Sequence, residues 1–243
     1  AGTSSEYARA IAIDASGNIY TTGEYTGTVD FDPGSGTYNL TTNFNSRIFI
    51  SKLDSSGNFV WVKITGGAGG GGTNSGTGIA IDPFGNVIIS GYFFGNSDFD
   101  PGFGSFNIDS YFGNADLFIM KLTSLGNFVW AKRIGGLYSD FSYSMSMDSY
   151  SNIYTTGKFA RSVDFDPGID SFKLTTTSGD NIFIAKLNSA GSFVWAKSLA
   201  GKQYSYGSAI TVDRAGKYVY TTGYFRDTID CDPGTGTYNL GSS

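Results

Sequence analysis

The residues best placed to do chemistry are aspartates, and they come in pairs. Asp30 and Asp32 lie in "VDFDPGSGTYNL" (29–40), Asp98 and Asp100 in "SDFDPGFGSFNI" (97–108), Asp164 and Asp166 in "VDFDPGIDSFKL" (163–174), and Asp230 and Asp232 in "IDCDPGTGTYNL" (229–240). Two carboxylates two residues apart could offer hard oxygen ligands to Ca2+, which takes about 6–8 oxygens. Main-chain carbonyls and water would have to complete that set. The other chemistry is a turn: the carboxylate accepts a backbone N–H, Pro fixes φ, and Gly takes φ > 0. A catalytic pair of aspartates needs one asymmetric cleft. A motif copied four times is better explained by what every copy shares, so the turn is preferred, with calcium as its rival. Alternation along the stretch places Val29, Phe31, Tyr38 and Leu40 on one face and Asp30 on the other. The same holds in the other copies, which predicts a hairpin with one buried face.

Composition narrows the field. The chain has 243 residues, 40% hydrophobic, with a net charge of −5. Nucleic-acid binding would need a basic stripe, so this balance argues against it. With one cysteine and no histidine, an internal disulfide, the usual zinc sites and Ser-His-Asp or Cys-His catalysis are excluded. No apolar run approaches the ~18 residues of a membrane span. The acids divide into 19 Asp and 2 Glu. Asp favours turns and Glu favours helices, so this ratio points to a loop-rich, helix-poor chain.

Those turns punctuate a repeat. "IAIDASGNIYTTG", "IAIDPFGNVIISG", "MSMDSYSNIYTTG" and "ITVDRAGKYVYTTG" place Asp14, Asp82, Asp148 and Asp213 at intervals of 68, 66 and 65 residues. A second block, "IFISKLDSSGNFVWVK" (48–63), returns at 117–132 and 182–197 but has no fourth copy. Each repeat reads as four short strands: "AIAID", "NIYTTGEY", "RIFISKL" and "FVWVK". Polar residues and a glycine near the left-handed region separate them. The repeats run approximately 8–73, 74–140, 141–205 and 206–243, the last incomplete. Tandem four-stranded antiparallel units are the blades of a β-propeller. The expected fold is therefore all-β: three full blades and a half blade in one domain or arc, each carrying an inserted D-x-D-P-G hairpin.

"GIAIDPFGNVIISGYF" followed by "DLFIMKLTSLGNFVWAK" resembles the SBBP-type β-propeller repeat of bacterial secreted and surface proteins, and the "DFDPG" insert is similar to segments of such proteins. The resemblance covers nearly the whole chain. It implies a propeller, often a module of a larger exported protein, and it implies no catalytic residues.

Other features yield to the repeat. "GGAGGGG" (66–72) is followed by a strand rather than a helix, so it links two blades instead of cradling a phosphate. Trp61, Trp130 and Trp195 hold one repeat position and read as packing between blades or at the rim. Lys52, Lys121 and Lys186, with Lys63, Lys132 and Lys197, read as blade-to-blade ion pairs or solvated edges. Cys231 replaces the hairpin phenylalanine and reads as a small buried hydrophobe. "NLT" (39–41) matches a glycosylation sequon, but the hairpin pattern already explains it.

The fourth repeat lacks strands three and four, and an unpaired strand edge recruits other strands. The favoured arrangements are a longer propeller or a subunit whose edge a protein partner or a second copy covers. The function expected is a non-enzymatic extracellular or bacterial cell-surface module, structural or adhesive, without a required cofactor. The alternative is a ligand-binding, lectin-like propeller using Tyr138, Phe141, Tyr143, Tyr204 and Tyr206, for instance on a glycan.

Overall fold

The computed structural model describes residues 5–42, 45–67 and 72–242. β-Branched and aromatic residues form short strands throughout, as they suit half-buried pleated surfaces. The first repeat contributes β1 (Glu6–Ile13), β2 (Ile19–Tyr25), the insert hairpin β3 (Thr28–Asp30) and β4 (Asn39–Thr41), then β5 (Arg47–Leu53) and β6 (Phe59–Thr65). β1, β2, β5 and β6 form one antiparallel sheet in that order. The second unit repeats the plan with β7 (Ser75–Ile81), β8 (Val87–Phe94), the hairpin β9 (Asn96–Asp98) and β10 (Asn107–Asp109), β11 (Ala115–Leu122) and β12 (Phe128–Gly136). In the third, β13 (Phe141–Met147), β14 (Ile153–Asp164), β15 (Lys173–Leu187) and β16 (Phe193–Gly201), the insert is continuous with the long middle strands. The fourth has β17 (Ser205–Val212), β18 (Val219–Phe225) and the hairpin β19 (Thr228–Asp230) and β20 (Asn239–Gly241). Among the described residues the sole helical element is a short 3-10 turn, Tyr111–Gly113.

The sequence predicts β5 residue for residue but stops β1 too short. "AIAID" covers only its C-terminal half, because the polar "EYAR" that precedes it pairs with β2 from Glu6 onward. The hairpin turns follow the aspartate chemistry. Asp14 Oδ1 accepts the N–H groups of Ser16 and Asn18, both at 2.9 Å, and Oδ2 accepts Asn18 Nδ2 at 2.8 Å. Asp54, Asp82 and Asp148 repeat the arrangement. Three residues after Asp14 and Asp82 stands a glycine at positive φ, whereas the third unit places Ser151 there at φ 62°.

The four inner strands pack in succession, β1 on β7, β7 on β13 and β13 on β17. Hydroxyls pin the joints: Thr77 Oγ1 donates to the Ser142 carbonyl at 2.8 Å, and Ser144 Oγ and Ser146 Oγ accept the N–H groups of Ile210 and Val212 at 3.2 and 3.3 Å. The core lies between sheets, where residues from adjacent units merge. Tyr20, Ile48 and Ile50 of the first unit join Val87, Ile89 and Phe118 of the second. Ile88, Leu117 and Ile119 of the second join Ile153, Phe159 and Phe183 of the third. The first and third joints interlock by size. A Cβ on Gly76 would land on Thr22 Oγ1, and one on Gly207 on Thr156 Oγ1.

The tryptophans do pack between units. Trp61 Nε1 donates to the Ser124 carbonyl of the next unit at 3.3 Å, and the Trp130 ring lies against Gly191 of the third unit. The lysine expectation needs correction. Lys121 Nζ pairs with Asp82 at 2.9 Å and Lys186 Nζ with Asp148 at 4.0 Å, each within one unit, while Lys52 lies over the Tyr20 ring. The strand-three lysine faces the first turn of its own sheet, so these pairs brace a sheet instead of joining two. Cys231 is only half-buried, packed beside Ile182, Leu199 and Ile229. Of the glycine run, residues 68–71 lie outside the described residues; Gly66 and Gly67 take φ of 74° and 85°.

Candidate functional site

The acidic inserts are joints. Asp30 Oδ1 accepts the N–H groups of Asp32 at 3.1 Å and Tyr38 at 2.8 Å, closing the hairpin across its neck. Asp98, Asp164 and Asp230 do the same in their copies. Asp32, Asp100, Asp166 and Asp232 each accept the N–H of the glycine two residues on, at 2.7–2.8 Å. These bonds hold the Asp30 and Asp230 carboxyls below their ordinary range. One detail of the turn differs from expectation. Gly34, Gly102, Gly168 and Gly234 are not at positive φ. A Cβ there would come within 2.9–3.1 Å of the aspartate Oδ1, so the glycine makes room for the carboxylate that closes over its N–H.

The buried face of the hairpin is also asymmetric. Phe99 and Phe165 are fully buried, but Tyr38, Phe106 and Phe172 remain partly exposed and lie on Phe59, Phe128 and Phe193 of their own units at 4.8–4.9 Å. The main chain of the insert then reaches backward to the preceding unit. The Gly66 N–H donates to the Asp98 carbonyl at 2.7 Å. Gly135 and Gly136 pair with Asp164 and Val163, and Ala200 and Gly201 pair with Asp230 and Ile229. The second, third and fourth inserts thus clasp the end of the outermost strand of the unit before them.

The second set of candidates gathers at the start of the inner strands. Phe141 and Tyr143 are nearly parallel, with ring centroids 6.0 Å apart and 10° between planes. Tyr92 meets Phe141 edge-on at 4.8 Å, Tyr143 meets Tyr206 at 5.7 Å, and Tyr206 stacks on Tyr224 at 5.5 Å with Tyr204 alongside. Lys158 Nζ lies 5.0 Å from the Phe141 centroid and 4.7 Å from that of Tyr204, and it pairs with Asp180 at 2.7 Å. Four of the five aromatics singled out in the sequence therefore form one cluster. Tyr138, half exposed, makes no ring contact with it among the described residues. Tyr92, Tyr224 and Lys158 complete the cluster but escape sequence reasoning. Their signal is that they share one strand-two position with Glu24, where the copies disagree.

Two buried carboxyls were also missed. Asp140 accepts the N–H groups of Gly136 and Ala160, each at 2.9 Å, and burial pushes its pKa up to about 8. Asp116 accepts the Tyr111 N–H at 2.9 Å with Arg133 3.6 Å away, and burial pushes it up to about 7. The corresponding positions hold the amides Asn74 and Asn181 in other copies. Both carboxyls titrate well above an unfolded aspartate. Their penalty is absent below about pH 4, grows as pH rises above that and levels off above about 7–8. Urea midpoints should therefore fall between pH 5 and pH 8, and Asp116→Asn should flatten that slope and raise the midpoint at pH 8. A slope unchanged in the variant would show that Asp116 does not control it.

The repeat signature decides the family resemblance. Residues 129–158 match the SBBP family, a β-propeller repeat. The chain carries an SBBP-type β-propeller repeat. The match runs from β12 through β14, so the family's unit joins the outermost strand of one blade to the first two strands of the next. A stretch of 127 residues is 32% identical to the uncharacterized WD repeat-containing protein L264 of Acanthamoeba polyphaga mimivirus, covering 49% of this chain and 9% of that protein. The chain therefore spans under a tenth of the curated relative's length. The four units are built of antiparallel β-sheet, and among the described residues no strand pairing closes the fourth unit onto the first. Among the described residues no helix is long and apolar enough to cross a membrane.

Proposed function

We propose that this chain is a non-enzymatic structural or adhesion module of the cell exterior, acting through protein–protein assembly. The carrying observation is one repeat position seen in different surroundings. Tyr20, Ile88 and Tyr154 are at most 1% exposed because the next blade covers them, whereas Tyr220 at the same place in β18 is 60% exposed. Tyr218 and Tyr224 flank it, also exposed. Beyond β17, no strand among the described residues pairs with β18, so an aromatic face and a free hydrogen-bonding edge coincide. Such an edge is a template for another strand. The family match and the WD repeat-containing relative support the coarser reading of a repeat protein that mediates interactions.

The covering strands can come from a longer chain or from a second copy, and for these 243 residues alone a second copy is the available donor. Light scattering across a concentration series should show mass growth, and Tyr220→Asp should suppress it by placing a charge on the covered face. A chain that stays monomeric throughout would remove assembly through this edge.

A second reading has its own support. The cluster of Phe141, Tyr143, Tyr204 and Tyr206 suits a lectin-like function in which rings stack on a carbohydrate. Binding of the whole chain to a glycan array tests it, and a blank array would end it.

A further inference from the structure

We infer that the cavity between the inner strands of blades one, two and three binds a neutral sugar ring. The inference rests on the lectin-like reading and narrows it to one place. The cavity measures about 230 Å³ and is lined by Arg9, Thr77, Tyr92 and Tyr143. That is smaller than the roughly 300–1,000 Å³ of drug-sized ligand sites, and it matches a single ring.

Three lining residues occupy one repeat position. The strand-one register shifts between Ala8 and Ala10, between Gly76 and Gly78, and between Ser142 and Ser144, which leaves Arg9, Thr77 and Tyr143 as the bulged residues. A bulge re-aims its side chain away from the ladder. Positions that build the blade carry similar residues in each copy. Here the copies supply a guanidinium, a hydroxyl and a phenol, so the geometry repeats while the chemistry occurs once.

Charge selects the class. Arg9 Nε lies 3.0 and 3.2 Å from the two carboxylate oxygens of Glu24, and Arg9 Nη2 and Ser75 Oγ also donate to that carboxylate. Glu24 is 3% exposed, so its charge is spent on these partners. Beside the cavity, Lys158 is neutralised by Asp180. Two cancelled pairs leave neither sign in excess, which disfavours an anion and a cation alike. Arg9 Nη1, free of hydrogen-bond partners among the described residues, and the two phenols can exchange hydrogen bonds with hydroxyls. The ring faces of Tyr92 and Tyr143 carry partial negative charge and suit the C–H face of a sugar.

Titration calorimetry on the full chain, with the methyl glycosides of glucose, galactose, mannose and N-acetylglucosamine, tests this, with glucuronate as the anionic comparator. At least one neutral glycoside should saturate the chain, with an affinity unchanged by added salt. Tyr143→Phe and Tyr92→Phe keep the packing and remove one hydroxyl each. Each should weaken binding roughly three- to tenfold, the worth of one net hydrogen bond. Tyr138→Phe should change nothing. The inference is overturned if no neutral glycoside saturates, if both phenylalanine variants bind as wild type, or if glucuronate binds best and salt abolishes it. A glycan array that still lights up while both variants bind normally would sink this cavity yet leave the lectin-like reading standing; a blank array would sink both.

Discussion

Gly157→Ala should destabilise the chain by about 3 kcal/mol or more, at or beyond the upper end of overpacking penalties. The bulge at Tyr143 brings the Phe141 carbonyl over Gly157. A methyl group there lands on that oxygen and sits 3.1 Å from Phe183 Cε1. Neither neighbour can retreat. The carbonyl belongs to a strand held by its own ladder, and Phe183 is fully buried. Gly23, Gly91 and Gly223 face the corresponding carbonyls in the other units. Gly57→Ala is the useful contrast. It adds a Cβ to open space at φ 83°, so only left-handed strain of roughly 1–2 kcal/mol applies. Urea denaturation of the two variants should separate them clearly. An equal or smaller loss for Gly157→Ala would mean that the bulge relaxes and does not lock β13 to β14.

Phe165→Ala should come next, with a loss of about 3–5 kcal/mol. Phe165 is fully buried between Phe159 and Phe183, at 5.5 and 5.1 Å, inside the cluster that joins the second and third units. It is the anchor by which the acidic insert grips the core. Asp164→Ala removes the acceptor for two backbone N–H groups at the half-exposed neck and should lose only about 1–2 kcal/mol. The order of the two effects separates masonry from metal binding. A Ca2+ site would add about 2.7 kcal/mol at 100 times Kd, and Asp164→Ala would abolish that gain. We expect thermal unfolding with and without millimolar Ca2+ to superimpose. A calcium-dependent rise confined to chains with intact aspartates would reverse the assignment.

Much of this architecture could be read in advance because a repeat supplies its own controls. The intervals between Asp14, Asp82, Asp148 and Asp213 mark the units, and the β-branched and aromatic residues of "RIFISKL" set a strand whose ends the structure reproduces. The candidate site was less legible. Phe141, Tyr143, Tyr204 and Tyr206 stand out as aromatics in a connecting region, but Tyr92 looks like any strand residue until β7 and β13 bring it beside Phe141. Arg9 and Glu24 are 15 residues apart, and only the pairing of β1 with β2 makes them partners. The lysines misled because a sequence gives their spacing and not the direction they face.

The sequence alone determined the strand pattern, the turn chemistry and the repeat, since each depends on residues within a few positions of one another. Periodicity, carboxylate-to-N–H reach and glycine's freedom are local properties, copied whenever the local text is copied. The tertiary structure decided which unit the second, third and fourth inserts clasp, which aspartates are buried, and where an arginine, a threonine and two tyrosines meet around one cavity. Those outcomes depend on contacts between strands and inserts brought together from beyond the reach of any one turn, and no local preference encodes them. They follow from stacking one sheet on the next, where a glycine must meet a threonine and a hairpin must find the strand before it.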